Sequence, residues 1–264
     1  MGVQTALTLE EINTLFPSYN FTKIDPTSNG VMDTTYIVST THKSYILKKY
    51  ERSIQNKIEA DIKLLQYLKS EGLNVSHYIT HFDSWYLYEK LEGREPKTIQ
   101  TYHIQALARF MSRFHKIGSK LACHSNFIEN YEIDKILLYI KRKHYFYYKK
   151  LQYLKNYKPR ADILIHGDIF KDNTLFYKQK IAVIDFIDAG YGEAIFDIAV
   201  ALLSFNSKKQ SPYFINLFLN GYNQNQIQKI DKKELLFTLK RASHFYALLR
   251  VDKYKNIIKA KELL

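Results

Sequence analysis

The stretch "ILIHGDIFKDNTLF", residues 163–176, is apolar at both ends and interrupted by His166, Asp168, Asp172 and Asn173. Short apolar runs of this length suit buried strands, which puts the polar residues in a loop between two of them. Another short apolar run, "KIAVIDF" (residues 180–186), follows and carries Asp185 near its end. Asp and Asn often do no more than cap turns, and a lone His-x-Asp would carry no chemistry. Here three such groups come in order, each beside a predicted strand. Phosphoryl transfer from ATP needs little covalent help from a protein. It needs a carboxylate to orient the attacking hydroxyl, and hard oxygen ligands to hold Mg²⁺ against the phosphates. Asp168 suits the first task; Asn173 and Asp185 suit the second.

The bulk properties bound the remaining choices. A chain of 264 residues, 46% of them apolar, suits one domain or two small lobes with a sizeable core. No run approaches the about 20 apolar residues that a membrane span needs. The opening "MGVQTALTLEE" has no basic flank and apolar block of the secretory kind, and Ala6 stands where a myristoylation site wants Ser or Thr. Cys123 is the single cysteine, which excludes an intrachain disulfide or a cysteine metal cluster and makes a reducing cytoplasm the expected compartment. The net charge of +13 could suit a polyanion. The basic residues nevertheless run through "KRKHYFYYKKLQYLKNYKPR" and the termini without a recognised binding motif, so a nucleic-acid partner is not expected. Part of the charge would attract an anionic nucleotide.

Outward from the opening stretch, the organisation is of two kinds. Thr8-Leu-Glu-Glu11 is a capping-box pattern and predicts a short helix to about Phe16, before Pro17. "SNGVMDTTYIVST" and "SYILKKY" are β-rich runs joined by a polar turn, with Asn29-Gly30 marking a reversal before the first. "SIQNKIEADIKLLQYLKSEG" has helical spacing, with apolar positions 58, 62, 65 and 68 and Gly72 as its stop. "SHYITHF" and "WYLYEKL" form another strand pair. Composition changes at "EGREPKT", a hinge signal. Beyond it the chain is mostly helical: "IQALARFMSRFHKIG", the aromatic-rich "FIENYEIDKILLYIKRKHYFYYKKLQYL", and everything from "AIFDIAVALLSF" onward. The expected fold class is α+β and two-lobed, a small antiparallel β lobe with one long helix (residues 1–91) and a larger mostly helical lobe (residues 92–264).

On these residues the chain resembles the aminoglycoside phosphotransferase and choline kinase group, which shares the protein-kinase-like fold. His166-Gly-Asp168 with Asn173 looks like its catalytic loop, Asp185-Phe like its second magnesium site, and Asp197 in "FDIAVAL" like its structural aspartate. The resemblance implies ATP and Mg²⁺ as cofactors and Asp168 as the catalytic carboxylate. It also implies His166 and Asp197 as supports of the loop that do not touch substrate. Residues 1–91 would hold the nucleotide and residues 92–264 the acceptor. Lys48 in "YILKKY" matches the strand lysine that contacts phosphate oxygens; on a strand it shares a face with Ile46, and Lys49 faces away. Its acidic partner is expected at Asp61, two turns before Leu68 on the core stripe of the next helix, with Glu59 on the opposite face. Gly30 falls in the turn that would cover the phosphates, and backbone groups of Glu89 and Leu91 would face adenine.

Within that group the resemblance narrows towards type II homoserine kinases and spans nearly the whole chain. "GVMDTTY", "YILKKYE", "LKSEGLNV", "LEG", "LARFMSRFHK" and "IHGDIFKDNTLF" fall in the order that family shows. Asp33 and Thr35 depart from it, standing where it usually has Asn, and so does "DFIDAGYGEAIFD". A homoserine acceptor needs an acid for its ammonium, for which Asp188 is the candidate, and a cation for its carboxylate, either Arg241 or Arg250. Choline would want an aromatic cage instead, and 22 tyrosines and 16 phenylalanines leave room for one. The alternatives are thus a choline or ethanolamine kinase, an aminoglycoside-type kinase, and more remotely a non-catalytic basic binding protein. His115, His124 and Cys123 have no partner at catalytic or metal spacing and are expected to be structural. The assembly expected is a monomer or homodimer.

Overall fold

A computed structural model describes residues 5–27, 33–52, 54–121, 127–128, 131–205, 211–226, 228–252 and 260–264. The chain divides into two units. The first contains residues 1–94 together with 175–177 and 182–187; the second contains the remainder. The architecture is two-lobed α+β and matches the protein-kinase-like fold.

The first unit begins with α1 (Leu9–Leu15), whose capping box is formed: the Glu11 N–H donates to Thr8 Oγ1 and the Thr8 N–H to Glu11 Oε2. Five antiparallel strands follow, β1 (Lys23–Pro26), β2 (Thr34–Ser39), β3 (Ser44–Lys49), β4 (Tyr78–Phe82) and β5 (Trp85–Glu89), in the order β1-β2-β3-β5-β4. Strand β1 carries no alternation signal; it lies at the sheet edge, where Pro26 is tolerated because an edge strand need not donate to a ladder on both sides. Alternation then sorts the central strands. Tyr36, Val38, Leu47, Trp85 and Leu87 pack with Ile12, Phe16 and Phe21 in one apolar cluster. Lys48 is on the other face, opposite Thr35 and Tyr86. Lys49 lies with the cluster side, its ammonium 5.6 Å from the Trp85 ring. Between β3 and β4 runs α2 (Gln55–Ser70), burying Ile58, Asp61, Leu65 and Leu68 as one stripe and followed by Gly72 at φ +79°.

In the second unit, α3 (Thr101–Gly118) packs on α7 (Pro212–Asn223), and α6 (Ala194–Phe205) on α8 (Lys232–Asp252). The aromatic-rich region is not one helix. It breaks at His144, whose φ of −143° and ψ of 58° are not helical, into α4 (Ile133–Lys143) and α5 (Tyr145–Leu151), with a 3₁₀ turn over Gln152–Asn156. Strand β6 (Ile163–Ile165) pairs antiparallel with β9 (Gly190–Gly192), a strand that its glycines hide from propensity. Strands β7 (Thr174–Tyr177) and β8 (Lys180–Val183), whose residues 175–177 and 182–183 belong to the first unit, form a separate two-stranded sheet. Among the described residues no helix is long and apolar enough to cross a membrane.

The apolar cluster under the sheet makes a direct demand on Leu47, which is fully buried. Leu47→Ala should lower unfolding free energy by about 2–5 kcal/mol in urea titrations. Lys49→Ala, which removes only a cation from the Trp85 ring, should cost about 1 kcal/mol or less.

Candidate active site

In the first unit the site is organised by the β2–β3 hairpin. Counting back from its turn pairs Thr35 with Lys48 and Thr34 with Lys49, which brings Asp33 beside the end of β3. Asp33 is buried; it accepts from the Glu51 N–H (3.2 Å) and from Arg52 Nη2 (3.3 Å), and its carboxylate lies 3.7 Å from Lys48 Nζ. Lys48 Nζ donates to Asp185 Oδ1 at 2.9 Å and sits 4.7 Å above the Tyr50 ring. Burial acts to lower the Lys48 pKa, but the charge of Asp185, its hydrogen bond, and the charges of Asp33 and Asp61 together raise it above the usual lysine value. The ammonium is therefore held protonated among three acids.

Asp185 reaches this position because its segment belongs to the first unit. The Val183 N–H donates to Asn74 O at 3.2 Å, and Arg94 and Phe176 exchange backbone hydrogen bonds of 3.2 and 2.9 Å. Gly93, at φ +123°, lets the backbones close: a Cβ there would lie 3.0 Å from Phe176 backbone atoms. Asp185 itself has φ +66°, a left-handed conformation uncommon outside glycine, directly before the buried Phe186. Asp61 is buried on the α2 stripe and its charge reaches both Lys48 and Tyr50; Glu59 is exposed. Glu89 forms a salt bridge with Lys69, and its N–H donates to His77 O (2.8 Å). Leu91 is half-buried beyond it. Gly30 lies outside the described residues, as do Cys123 and His124.

In the second unit the loop after β6 is built around a buried carboxylate. Asp197, in the first turn of α6, is fully buried. Its Oδ2 accepts the His166 N–H (3.1 Å) and its Oδ1 the Gly167 N–H (2.7 Å). Gly167 has φ +75°, and a Cβ on it would lie 2.0 Å from the Phe127 ring. No other residue fits there. The Tyr246 hydroxyl of α8 donates to the Gly167 carbonyl, and the Phe170 ring meets Tyr246 edge-on at 4.9 Å. His166 Nδ1 accepts the Asp168 N–H at 3.2 Å. Asn173 Nδ2 donates to both the Asp168 carbonyl (2.9 Å) and Asp168 Oδ2 (3.0 Å). With the amide nitrogen so used, Asn173 Oδ1 is turned away as a hard acceptor. Asp172, the fourth polar residue of the opening stretch, is exposed. Asp188 is half-buried ahead of β9.

Two residues join these clusters without a local pattern to mark them. Asp33 stands out in the sequence only as a departure from the family pattern; the hairpin register, which brings it to the end of β3, is the signal that could find it. His115 has no partner at catalytic or metal spacing along the chain. It is buried in α3, with Nε2 3.0 Å from Asp197 Oδ2 and Nδ1 2.8 Å from the Tyr222 hydroxyl of α7. Burial pushes the Asp197 pKa up, but the hydrogen bond and charge of His115, the charge of His166 and the Gly167 N–H bring it below the usual carboxylate value. An ionised Asp197 needs a donor, which places a proton on His115 Nε2.

His115→Ala would leave a buried anion short of a donor and should cost about 3–5 kcal/mol of stability. Tyr222→Phe should cost about 1–3 kcal/mol. A carboxyl whose folded pKa is depressed stabilises fully above its unfolded value, about pH 4, and loses that contribution as pH falls through the folded value. Urea titrations should therefore show the His115→Ala deficit at neutral pH and a smaller one in acid.

Among known proteins, the family model described as "Phosphotransferase enzyme family" matches residues 23–232. The chain is 25% identical over 267 residues to a homoserine kinase of Sinorhizobium fredii, covering 89% of this chain and 80% of that protein. It is 22% identical over 226 residues to a homoserine kinase of Methylobacillus flagellatus, covering 76% and 70%. Among solved structures it superposes on a macrolide 2'-phosphotransferase type I with a TM-score of 0.69 at 14% identity, covering 98% of both chains. It superposes on the gentamicin complex of APH(2")-IIa with a TM-score of 0.66 at 19% identity, covering 98% of this chain and 97% of that one. These structural likenesses carry the fold; the family model, matching most of the chain, carries membership. The chain belongs to the phosphotransferase enzyme family.

Proposed function

We propose that the protein transfers a phosphoryl group from ATP to the hydroxyl of a small molecule, with homoserine as the acceptor and O-phosphohomoserine as the product. The observation that carries the transfer is the Asp168 carboxylate, held by Asn173 on a loop whose backbone N–H groups are fixed by Asp197. A carboxylate so oriented suits alignment of the acceptor hydroxyl and removal of its proton. Lys48, kept protonated among Asp33, Asp61 and Asp185, suits a phosphate oxygen, which would replace part of its acidic company. Among the described residues no group of three His, Cys, Asp or Glu side chains forms a metal cage. A magnesium ion needs none: one or two carboxylates plus phosphate oxygens suffice, and Asp185 with Asn173 Oδ1 are hard ligands of that kind. When bound, Mg²⁺ would neutralise charge developing on the phosphoryl oxygens. Backbone groups of Glu89 and Leu91 are the proposed adenine contacts, and Gly30 the phosphate turn.

Homoserine as acceptor is supported by the two homoserine kinases named above and by the charge of the chain. A net charge of +13 favours an anionic nucleotide and works against polycationic aminoglycosides. Asp188 is the proposed partner of the ammonium. For the carboxylate the two arginines now differ. Arg241 is stacked over Tyr157 (4.3 Å) and Phe237 (4.9 Å). Arg250 is one helical turn after Tyr246, the residue whose hydroxyl meets Gly167 of the loop, and helical side chains lean back towards the N-terminus. Arg250 is therefore the cation we propose for the carboxylate.

ADP release on homoserine, choline, ethanolamine and an aminoglycoside should show turnover of homoserine, and Arg250→Ala should raise its KM while Arg241→Ala does not. Turnover of choline alone would reject the acceptor and keep the chemistry. Turnover of none of them would reject the homoserine assignment outright. Asp168→Asn keeps the shape of the side chain but removes its basicity. It should lower kcat by about 10²–10⁴-fold with ATP affinity by calorimetry little changed; an unchanged kcat would show that Asp168 is not the base.

A further inference from the structure

Between Asp134 and Asp162 the chain carries nine Lys or Arg residues and no acidic one, within a molecule whose net charge is +13. Along the sequence these cations match no recognised motif. Folding gathers them, because the stretch becomes α4, α5 and the 3₁₀ turn, packed on one another and on α8. At the two ends Lys135 pairs with Glu132, and Arg160 with Asp162 and Glu193. Among the described residues the cations between them have no acidic partner within ion-pair distance. Large rings stay exposed on the same elements: Phe146 is 63% exposed, Tyr145 58% and Tyr153 43%.

Rings and cations alternate here instead of separating onto two faces. Lys141 Nζ lies 5.5 Å from the Tyr148 ring centre, Tyr148 stacks on Tyr145 at 6.0 Å, and Lys149 Nζ lies 5.9 Å from Tyr145. Beside this row Lys150 Nζ sits 4.8 Å from Phe146. The positive field extends to α8. Burial, then the charges of Lys240 on α8 and Lys150 on α5, hold His244 below the usual imidazole value.

We propose that the α4–α5 face binds single-stranded nucleic acid. A single strand offers phosphates and unpaired base faces alternately along its length, which is the chemistry an alternating row of cations and rings accepts. A bilayer surface instead selects helices with apolar residues on one face and cations on the other, a separation absent from this face. A duplex keeps its base faces stacked inside, so the exposed rings would gain nothing from it.

The test is fluorescence anisotropy of a labelled oligouridylate of about 15 nucleotides with the full chain, between about 50 and 200 mM salt. Binding should weaken linearly in log salt. Tyr145→Ala and Phe146→Ala should each weaken it by about 5- to 150-fold with the salt slope little changed. The triple variant Lys141→Gln, Lys149→Gln, Lys150→Gln should instead reduce that slope by about 2, at roughly 0.7 for each phosphate that no longer meets a lysine. Unchanged thermal unfolding of each variant keeps the reading on the surface. Equal affinity for a duplex with indifferent ring variants would reduce the face to general attraction for polyanions and overturn the proposal. Capture by phosphatidylglycerol vesicles without oligonucleotide binding, or no oligonucleotide binding at the lowest salt, would overturn it as well.

Discussion

A buried Asp197 carboxylate holding two consecutive backbone N–H groups is the constraint on which the second unit depends. An anion fully out of water is costly unless its lone pairs are met by donors. Asp197 meets His166 N–H, Gly167 N–H and His115 Nε2–H. That requirement fixes the loop backbone in a conformation only glycine can take at 167, where Phe127 occupies the space of a side chain. It also fixes the helices: α6 carries the carboxylate, α3 the imidazole, and α7 the hydroxyl that completes the imidazole. The loop is thus held from behind by groups that need not touch a substrate. Its outer side is left to Asp168 and Asn173.

The first unit solves a related problem with the opposite charge. An ammonium on a sheet face among Tyr50, Tyr86 and Tyr88 would be unfavourable alone, and Lys48 is kept charged by Asp185, Asp33 and Asp61. Protein-kinase-like folds ordinarily give this lysine one acidic partner on the following helix. Here the hairpin register adds Asp33, which also holds Arg52, so the cationic end of β3 is doubly anchored. A phosphate bound at Lys48, as proposed, would meet a cation already surrounded by three carboxylates and not a bare one.

One fold carries many acceptors in this family, and the solved structures that resemble this chain are themselves kinases of unlike compounds. The phosphoryl-transfer apparatus is therefore a poor guide to substrate. Away from it the chain carries a strong positive charge and exposed rings on α4 and α5.

Much of this was legible in the sequence because the relevant signals are local. Alternation in "TTYIVS" and "SYILKK" marks a hairpin; a Thr-x-x-Glu box marks a helix start; apolar positions 58, 62, 65 and 68 mark a helix. The loop with His166, Asp168 and Asn173 was equally plain, since its polar residues interrupt short apolar runs. Strands β1 and β9 were not, because one is an edge strand ending in proline and the other is Gly-Tyr-Gly, paired through backbone that propensity does not see. The break at His144 was hidden too, by a uniform run of helix-compatible residues. Sequence alone determined the two-lobed α+β layout and the chemical character of the loop. Only tertiary structure decided that Lys48 meets Asp185 across 137 positions, that His115 meets Asp197 across 82 and Tyr222 across 107, and that Lys141, Lys149 and Lys150 lie against rings of α5. Periodicity and capping act over a few residues, whereas these pairings arise from how helices and strands pack, and packing brings together side chains that no local pattern relates.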